Sequence, residues 1–367
     1  MLSNPNSNNT HEHFMHLALM HAKKSLGNTK TNPSVGCVIV KSNSVVGAGS
    51  TSFNGRPHAE KNAILSLKKN LKNSNLYVTL EPCSHYGKTS PCVNLISKNR
   101  INKVFISIKD PDLRSYNKAS KKLLNKGIKV QYGILHNRIK KFYKSYIIYK
   151  RKFMPFVTCK LAISKDFYIV NKKNKWVTNH QSRSRGHLLR SLHDCILTSS
   201  KTINNDNPHL TCRINGLLET SPARIILDTN LKIKLNSKIL KNAYRYKTIV
   251  FYSKYNKKKI NLLKKMYVKT YKVPKGNDGK INLQEALVKV KKLGFSRIFL
   301  ECGINLVRNF YNNDLINEFK IFVSKDNLGK NGLIKVKNDL YNFLRYKKKN
   351  KEIVNLNGDL LFSYNIK

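Results

Sequence analysis

Apolar positions in the first 150 residues alternate between two periods. Residues 13–25 place Phe14, Leu17, Ala18 and His21 on one face at helical spacing. Two short apolar runs, 35–40 and 45–50, flank Lys41-Ser42-Asn43-Ser44 and predict a strand hairpin. Pro57 opens a predicted helix striped with Ala63, Ile64, Leu67 and Leu71. A strand over 76–80, a helix from Pro91, a strand over 104–108, a helix over 118–125 and a strand over 128–134 follow. Such alternation predicts an α/β sandwich around one central sheet. Residues 137–155, dense in Tyr, Lys and Phe, predict a linking helix and hinge, which divides the chain into 1–150 and 151–367.

The alternation then restarts. Strands are expected at 156–162, 195–198, 223–227, 248–252, 268–273 and 297–301, and helices at 181–192, 283–293 and 305–311. A last strand pair, 318–324 and 359–364, closes the second sheet. No internal repeat interrupts the pattern, and 367 residues suit two domains. Residues 1–10 are polar, lack the apolar run of a secretory signal and read as a short disordered tail. No apolar window reaches the length of a membrane span, so an intracellular, cytoplasmic protein without a membrane partner is expected.

Charge changes this picture less than its size suggests. The net charge is +51, but the basic residues are 56 Lys and only 14 Arg, accompanied by 45 Asn. Lys and Asn share AT-rich codons, so nucleotide bias filling solvated positions competes with a nucleic-acid surface as the explanation. The Lys are spread along the whole chain and Arg, the better base reader, is scarce. No obligatory nucleic-acid partner is expected, although the field would favour anionic, phosphorylated substrates. Seven cysteines, an odd number, argue against a disulfide framework. Five lie in or beside apolar runs, as buried cysteines do, whereas Cys83 and Cys92 each follow a proline in a polar stretch.

That context points to a metal. His58, Cys83 and Cys92 offer one imidazole and two thiolates, a donor set suited to zinc, and three ligands leave a tetrahedral ion one open position. Helix starts after Pro57 and Pro91 would orient His58 and favour the Cys92 thiolate. Glu60, two residues past the histidine, is placed to move protons rather than to ligate. This is the donor set of a zinc nucleobase deaminase; a structural zinc site is the plainer alternative. Eight residues separate the two cysteines, where nucleic-acid deaminases have two.

The segment from Glu81 to Cys92, EPCSHYGKTSPC, resembles the signature of the bifunctional riboflavin-biosynthesis family, a pyrimidine deaminase fused to a reductase. It departs at Ser90, where the family has proline. Asn32-Pro33-Ser34-Val35-Gly36 is similar to a family strand whose Asn contacts the pyrimidine, which makes Asn32 a candidate substrate residue. Lys109-Asp110-Pro111-Asp112 is similar to the family's D-P-N, with Asp112 in place of Asn. The resemblance runs from about His13 to Tyr364. It implies a cytidine-deaminase-like domain followed by a dihydrofolate-reductase-like one, with Zn2+ and NADPH as cofactors.

In the second half, the stretch from Leu197 to Arg213 resembles the family's reductase signature. Position by position, Ala162, Trp176, Thr202, Asp206 and the turn Gly303, Ile304, Asn305 and Leu306 would meet NADPH. Asn174, Arg190, Leu210, Arg213 and Glu301 would meet the ribosyl substrate, with Arg190 on its phosphate. Without the resemblance, Gly303 reads equally as a turn whose amides approach a phosphate at a helix start and as an ordinary βα turn, while Arg190 reads as a snorkelling side chain and Trp176 as core or partial-surface filler. Departures cluster in one loop, where Phe167 stands in place of the family's Gly and Asn174 in place of its Ser; a φ > 0 turn is costly for phenylalanine.

The expected function is therefore consecutive: hydrolytic deamination of a phosphoribosylamino-diaminopyrimidine, then NADPH-dependent reduction of the ribosyl group to ribityl. A deaminase with an eroded reductase, and a nucleic-acid deaminase, are the alternatives. The pattern leaves room for a homo-oligomer.

Overall fold

The computed structural model describes residues 5–67, 70–174, 176–337, 340–343 and 351–366. The chain forms two compact units, Met1–Met154 and Pro155–Lys367. No helix among the described residues is long and apolar enough to cross a membrane.

The first unit runs α1 (Pro5–Lys24), β1 (Gly36–Lys41), β2 (Ser44–Ser50), α2 (Ala59–Leu65), β3 (Asn75–Leu80), α3 (Cys92–Lys98), β4 (Lys103–Ile108), α4 (Ala119–Leu124), β5 (Lys129–Tyr132), α5 (His136–Phe142) and α6 (Lys144–Arg151). Its five strands order as β2-β1-β3-β4-β5. The β1–β2 and β1–β3 pairs are antiparallel and the β3–β4 and β4–β5 pairs parallel. Val38, Ile39, Val78, Val104 and Ile106 are all but fully buried, so the apolar runs make the core they predict. The expectation of a disordered tail over 1–10 is corrected from residue 5 onward. Helix α1 begins at Pro5, where a missing N–H costs nothing, and His11 Nδ1 hydrogen-bonds the Tyr77 hydroxyl at 2.7 Å. Residues 1–4 lie outside the described residues. The single linking helix divides into α5 and α6, broken at Tyr143 (ψ 6°).

Small residues let the helices settle on this sheet. A Cβ on Gly49 of β2 would lie 2.4 Å from the Ala59 carbonyl oxygen, so only glycine admits the first turn of α2 this close. Asn62 completes the anchor, its Nδ2 donating to the Ser50 carbonyl (2.7 Å) and Ser52 hydroxyl (2.8 Å).

The second unit comprises β6 (Phe156–Ile163), α7 (His180–Ser191), β7 (Cys195–Ser199), α8 (Ser200–Asp206), β8 (Ala223–Leu227), α9 (Lys238–Lys241), β9 (Thr248–Tyr252), α10 (Lys257–Lys265), β10 (Lys269–Lys272), α11 (Leu283–Lys292), β11 (Arg297–Leu300), α12 (Ile304–Asn312), β12 (Glu318–Val323), β13 (Lys351–Leu356) and β14 (Asp359–Asn365). The strand order is β10-β9-β8-β7-β11-β6-β12-β14-β13, parallel from β10 to β12 and antiparallel thereafter. Strand β13 lies outside β14, so the expected closing pair is not the sheet's edge. The carboxyl ends of β6, β7 and β11 are adjacent, and ligands of open parallel sheets bind outside such ends.

Candidate functional sites

Three chain segments deliver the metal-ligand candidates. His58 is the extended N-cap residue of α2 (φ −72°, ψ 161°), Cys83 follows β3, and Cys92 is the first residue of α3. His58 Nδ1 lies 3.3 Å from Cys92 Sγ and 3.5 Å from Cys83 Sγ, and all three donor atoms fall within 4.8 Å of one another. A nitrogen and a sulfur ligand at zinc bond lengths on a tetrahedron stand about 3.6 Å apart, so the two His58–sulfur distances suit zinc. The Cys92 backbone N–H donates to Cys83 Sγ (3.2 Å), so the start of α3 favours the thiolate of Cys83 and not, as the sequence predicts, that of Cys92, whose thiol is pushed up. The hydrogen bond from the Cys92 thiol, followed by His58, lowers the Cys83 thiol to about 4. Glu60, in the first turn of α2, is 3% exposed, and burial raises its pKa against the pull of His58.

Around this centre the loops are tied together. Asn32 donates to the Gly55 carbonyl (3.1 Å), three residues before His58. Gly55 has φ +86°, and a Cβ there would come within 2.2 Å of Asn32 Nδ2, so glycine is required beside Asn32. Glu81, which the sequence marks only as the first residue of the EPCSHYGKTSPC segment, is buried and receives three backbone N–H groups: Asp110 (3.1 Å), Asn117 (3.0 Å) and Ala119 (3.0 Å). It thereby fixes the 110–119 loop and the start of α4 against the end of β3. His85 Nδ1 meets Ser115 Oγ at 3.0 Å, linking the loop between the cysteines to the same segment. Asp110 accepts from the Tyr146 hydroxyl of α6 (3.1 Å), and burial raises its pKa to about 6. Asp112 pairs with Arg114 and with Lys150 of α6, each at 2.7 Å. Its carboxyl is held low chiefly by the Arg114 hydrogen bonds. Two cations thus neutralise the carboxylate that replaces the family's amide.

In the second unit, the predicted residues gather at the carboxyl ends of the central strands. Arg190 makes a two-pronged ion pair with Glu301, Nε to Oε2 at 2.9 Å and Nη2 to Oε1 at 2.8 Å, and its Nη1 donates to the Thr211 carbonyl (2.9 Å). Lys160 Nζ is 3.8 Å from Glu301 Oε1. Against the rise that burial alone would cause, Arg190 and Lys160 hold Glu301 at about 2. Sequence reasoning missed Lys160; the available signal was a lone charge inside the apolar run of β6. His187, one turn before Arg190, is lowered to about 4 by burial, then by Arg190 and Arg213. Arg183 on the same face of α7 lies 4.8 Å from the Trp176 ring centroid. That contact places the half-exposed Trp176 along the helix that carries Arg190.

Thr202 and Gly303 are also brought together, the Gly303 N–H donating to Thr202 Oγ1 at 3.2 Å. Ser199 caps α8 through the Thr202 N–H, and Asp206 ends that helix one turn past Thr202. Gly303 is the uncapped N-cap residue of α12. Its Cβ position faces only Thr202 Oγ1, at 3.9 Å, and the buried Thr198 Oγ1 has no protein partner. An open, polar turn at a helix start fits a dinucleotide phosphate. Ala162 lies near the end of β6, while Ile304 points into the core at 7% exposure and Asn305 and Leu306 follow in the first turn of α12. Leu210 is 3% exposed and left-handed (φ +53°), packed with Leu189, Ile196 and Ile203, so it can offer a ligand its backbone alone. Asn174 is exposed, its N–H turned back to Asn171 Oδ1 (3.3 Å). Phe167 does adopt the glycine-like conformation, with φ +70°.

Comparison with known proteins gives a family to each half of the chain. The family model described as the RibD C-terminal domain matches residues 155–359, and that of the cytidine and deoxycytidylate deaminase zinc-binding region matches 8–108. The riboflavin biosynthesis protein RibD of Aquifex aeolicus is 32% identical over 361 residues, covering 96% of this chain and 98% of that protein. RibD of Bacillus amyloliquefaciens is 32% identical over 85% of this chain and 83% of its own. Among solved structures, Acinetobacter baumannii RibD superposes with a TM-score of 0.84 at 28% identity, covering 98% of this chain and 99% of the other. A Thermotoga maritima protein titled as a diaminohydroxyphosphoribosylaminopyrimidine deaminase/5-amino-6-(5-phosphoribosylamino)uracil reductase gives 0.82 at 28% identity with the same coverage.

Proposed function

Because the chain belongs to the RibD family of riboflavin-biosynthesis proteins, with a zinc-dependent deaminase domain followed by an NADPH-dependent reductase domain, we propose that residues 1–150 and 151–367 carry these two steps through the sites described. The first substrate is then 2,5-diamino-6-(5-phosphoribosylamino)pyrimidin-4-one, and the second is its deaminated product. The observation that carries this reading is the fit of His58, Cys83 and Cys92 to a tetrahedral ion with buried Glu60 alongside.

Zinc held by these three residues supplies the Lewis acidity that makes water a nucleophile near neutral pH. Glu60 would accept one proton from water as its oxygen bonds the amine-bearing carbon and give it to the ring nitrogen; it would then carry the remaining proton of the new hydroxyl to the amine, so that the C–N bond breaks, ammonia departs and a ring carbonyl is left. Burial raises the Glu60 pKa above the ordinary carboxylate value, which favours the protonated form it must pass through. Asn32, held by Gly55, would orient the pyrimidine.

NADPH bound in the second unit would supply the hydride for reduction at C1 of the opened sugar. The Thr202–Gly303 turn would hold its phosphates, with Trp176, Ala162 and Asp206 beside it. Arg190, Arg213 and Lys160 make a cationic setting for the sugar phosphate, with Glu301 keeping Arg190 in place. Lys160, whose pKa burial lowers, is the proton donor at hand for the sugar oxygen released when the ring opens. A cytoplasmic location, where NADPH is available, suits the reaction.

The test is mass analysis of products from the zinc-loaded protein and the phosphorylated diaminopyrimidine, with and without NADPH. Deamination alone without NADPH, and a gain of two further hydrogens with it, are expected. Absence of deamination would overturn the reading of the first site. Deamination that stalls with NADPH present would overturn that of the second.

A further inference from the structure

Arg224, in β8, is fully buried, yet every acceptor around its guanidinium is a neutral oxygen. Nε and Nη2 both donate to Thr248 Oγ1, Nη1 to the His209 carbonyl (3.1 Å) and to Asn242 Oδ1, and Nη2 to the Tyr246 carbonyl (3.0 Å). Burying a cation without a carboxylate is costly, and an apolar side chain of similar volume would ordinarily serve a core as well. What only the planar fork provides is simultaneous contact with two segments far apart in the chain, His209 and residues 242–248. The second is scaffold. The first, His209, immediately precedes the Leu210–Arg213 stretch, whose residue 210 is left-handed and whose Thr211 carbonyl accepts from Arg190. The stretch is therefore gripped between two guanidiniums, one from the sheet and one from α7.

We propose that Arg224 is the positioning residue of the reductase's substrate loop, fixing the His209 carbonyl so that Leu210–Arg213 present a preset backbone and the Arg213 side chain to the ribosyl phosphate. This rests on the reading that Leu210–Arg213 meet that substrate. Arg224 itself touches neither substrate nor cofactor. Its loss lets the loop wander, so the substrate must supply the ordering on binding and its affinity falls, while the NADPH turn at Thr202 and Gly303 is untouched.

The experiment measures reductase kinetics on the full, zinc-loaded chain with the deaminated ribosylamino substrate and NADPH. Arg224→Met is expected to raise KM for the substrate tenfold or more and to leave KM for NADPH within twofold. Arg224→Lys keeps the charge without the fork and should not restore the substrate KM. A purely structural role would lower the active fraction, hence kcat, with both KM values unchanged, and that result overturns the proposal. If Arg224→Met does not fold, Thr248→Val decides. It frees two of the guanidinium donors; a threefold or larger rise in substrate KM supports the proposal and no change overturns it. A wild-type chain that does not reduce the substrate overturns the function assigned to this unit, whereas normal wild-type reduction with unchanged variant KM values overturns only the role of Arg224.

Discussion

Phe167 holds a left-handed conformation (φ +70°) in the loop after β6. The conformation is imposed from both sides: its N–H donates to the Ser164 carbonyl (3.0 Å) and its carbonyl accepts from Val336 (2.9 Å). A Cβ in this region costs about 1–2 kcal/mol. Against that, the half-buried ring meets Tyr341 edge-on, centroids 4.9 Å apart at 66°, a contact of about 0.5–1.5 kcal/mol beyond burial. Phe167→Ala keeps the strain and loses the ring, for a loss of about 2 kcal/mol once partial burial is included. Phe167→Gly also loses the ring but relieves the strain, while glycine's freedom in the unfolded chain costs about 0.5–1 kcal/mol. The smaller residue should therefore be the better tolerated, by about 0.5–1 kcal/mol. The chain's one tryptophan, Trp176, lies in the same unit, so urea unfolding followed by its emission reports on this unit. An alanine variant as stable as the glycine variant would refute the claim that backbone strain is stored here.

Further outcomes follow from the first unit. Glu60→Gln should retain one zinc per chain by metal analysis and lose deamination by about 10²–10⁴-fold; zinc loss in that variant would make Glu60 a structural residue. Glu81→Gln replaces one of the oxygens facing backbone N–H groups with an amide NH2, itself a donor, and should destabilise the unit by about 2–4 kcal/mol in urea unfolding followed by circular dichroism. Unchanged stability would mean the clamp on residues 110–119 is dispensable. Asp110 has its pKa raised by burial to about 6 from an ordinary 3.8, so the folded state holds this proton more tightly than the unfolded one. Its contribution is whole below about pH 4 and is lost as pH rises through 6. Asp110→Asn should remove that slope, and a variant as pH-dependent as wild type over this window would contradict it.

Much of this was legible in the chain. Period-two and period-3.6 runs gave β1, β3, β4, β6, β8 and α7 close to their limits, because those elements bury one or both faces. The metal ligands were legible because Cys83 and Cys92 stand in polar sequence where burial does not explain a cysteine. Elements with little apolar content were not. Strand β13 begins in a Lys- and Asn-rich run, and α8 is a polar heptad held by the Ser199 cap instead of by an apolar stripe. Side chains whose work is to hold backbone were also invisible. Glu81 and Arg224 reveal their partners only after residues tens of positions away have been folded beside them.

The deaminase family model stops at residue 108, yet Asp110 and Asp112 are held by Tyr146 and Lys150, the latter four residues before the boundary at 154. Helix α6 is thus a working part of the first enzyme as well as the segment that leads to the second. A gene fission at the end of the motif-bearing stretch would strand that latch on the wrong product, whereas one placed after residue 151 would release a deaminase with all its fastenings. Any cassette that moves this activity to another partner has to take the helix along.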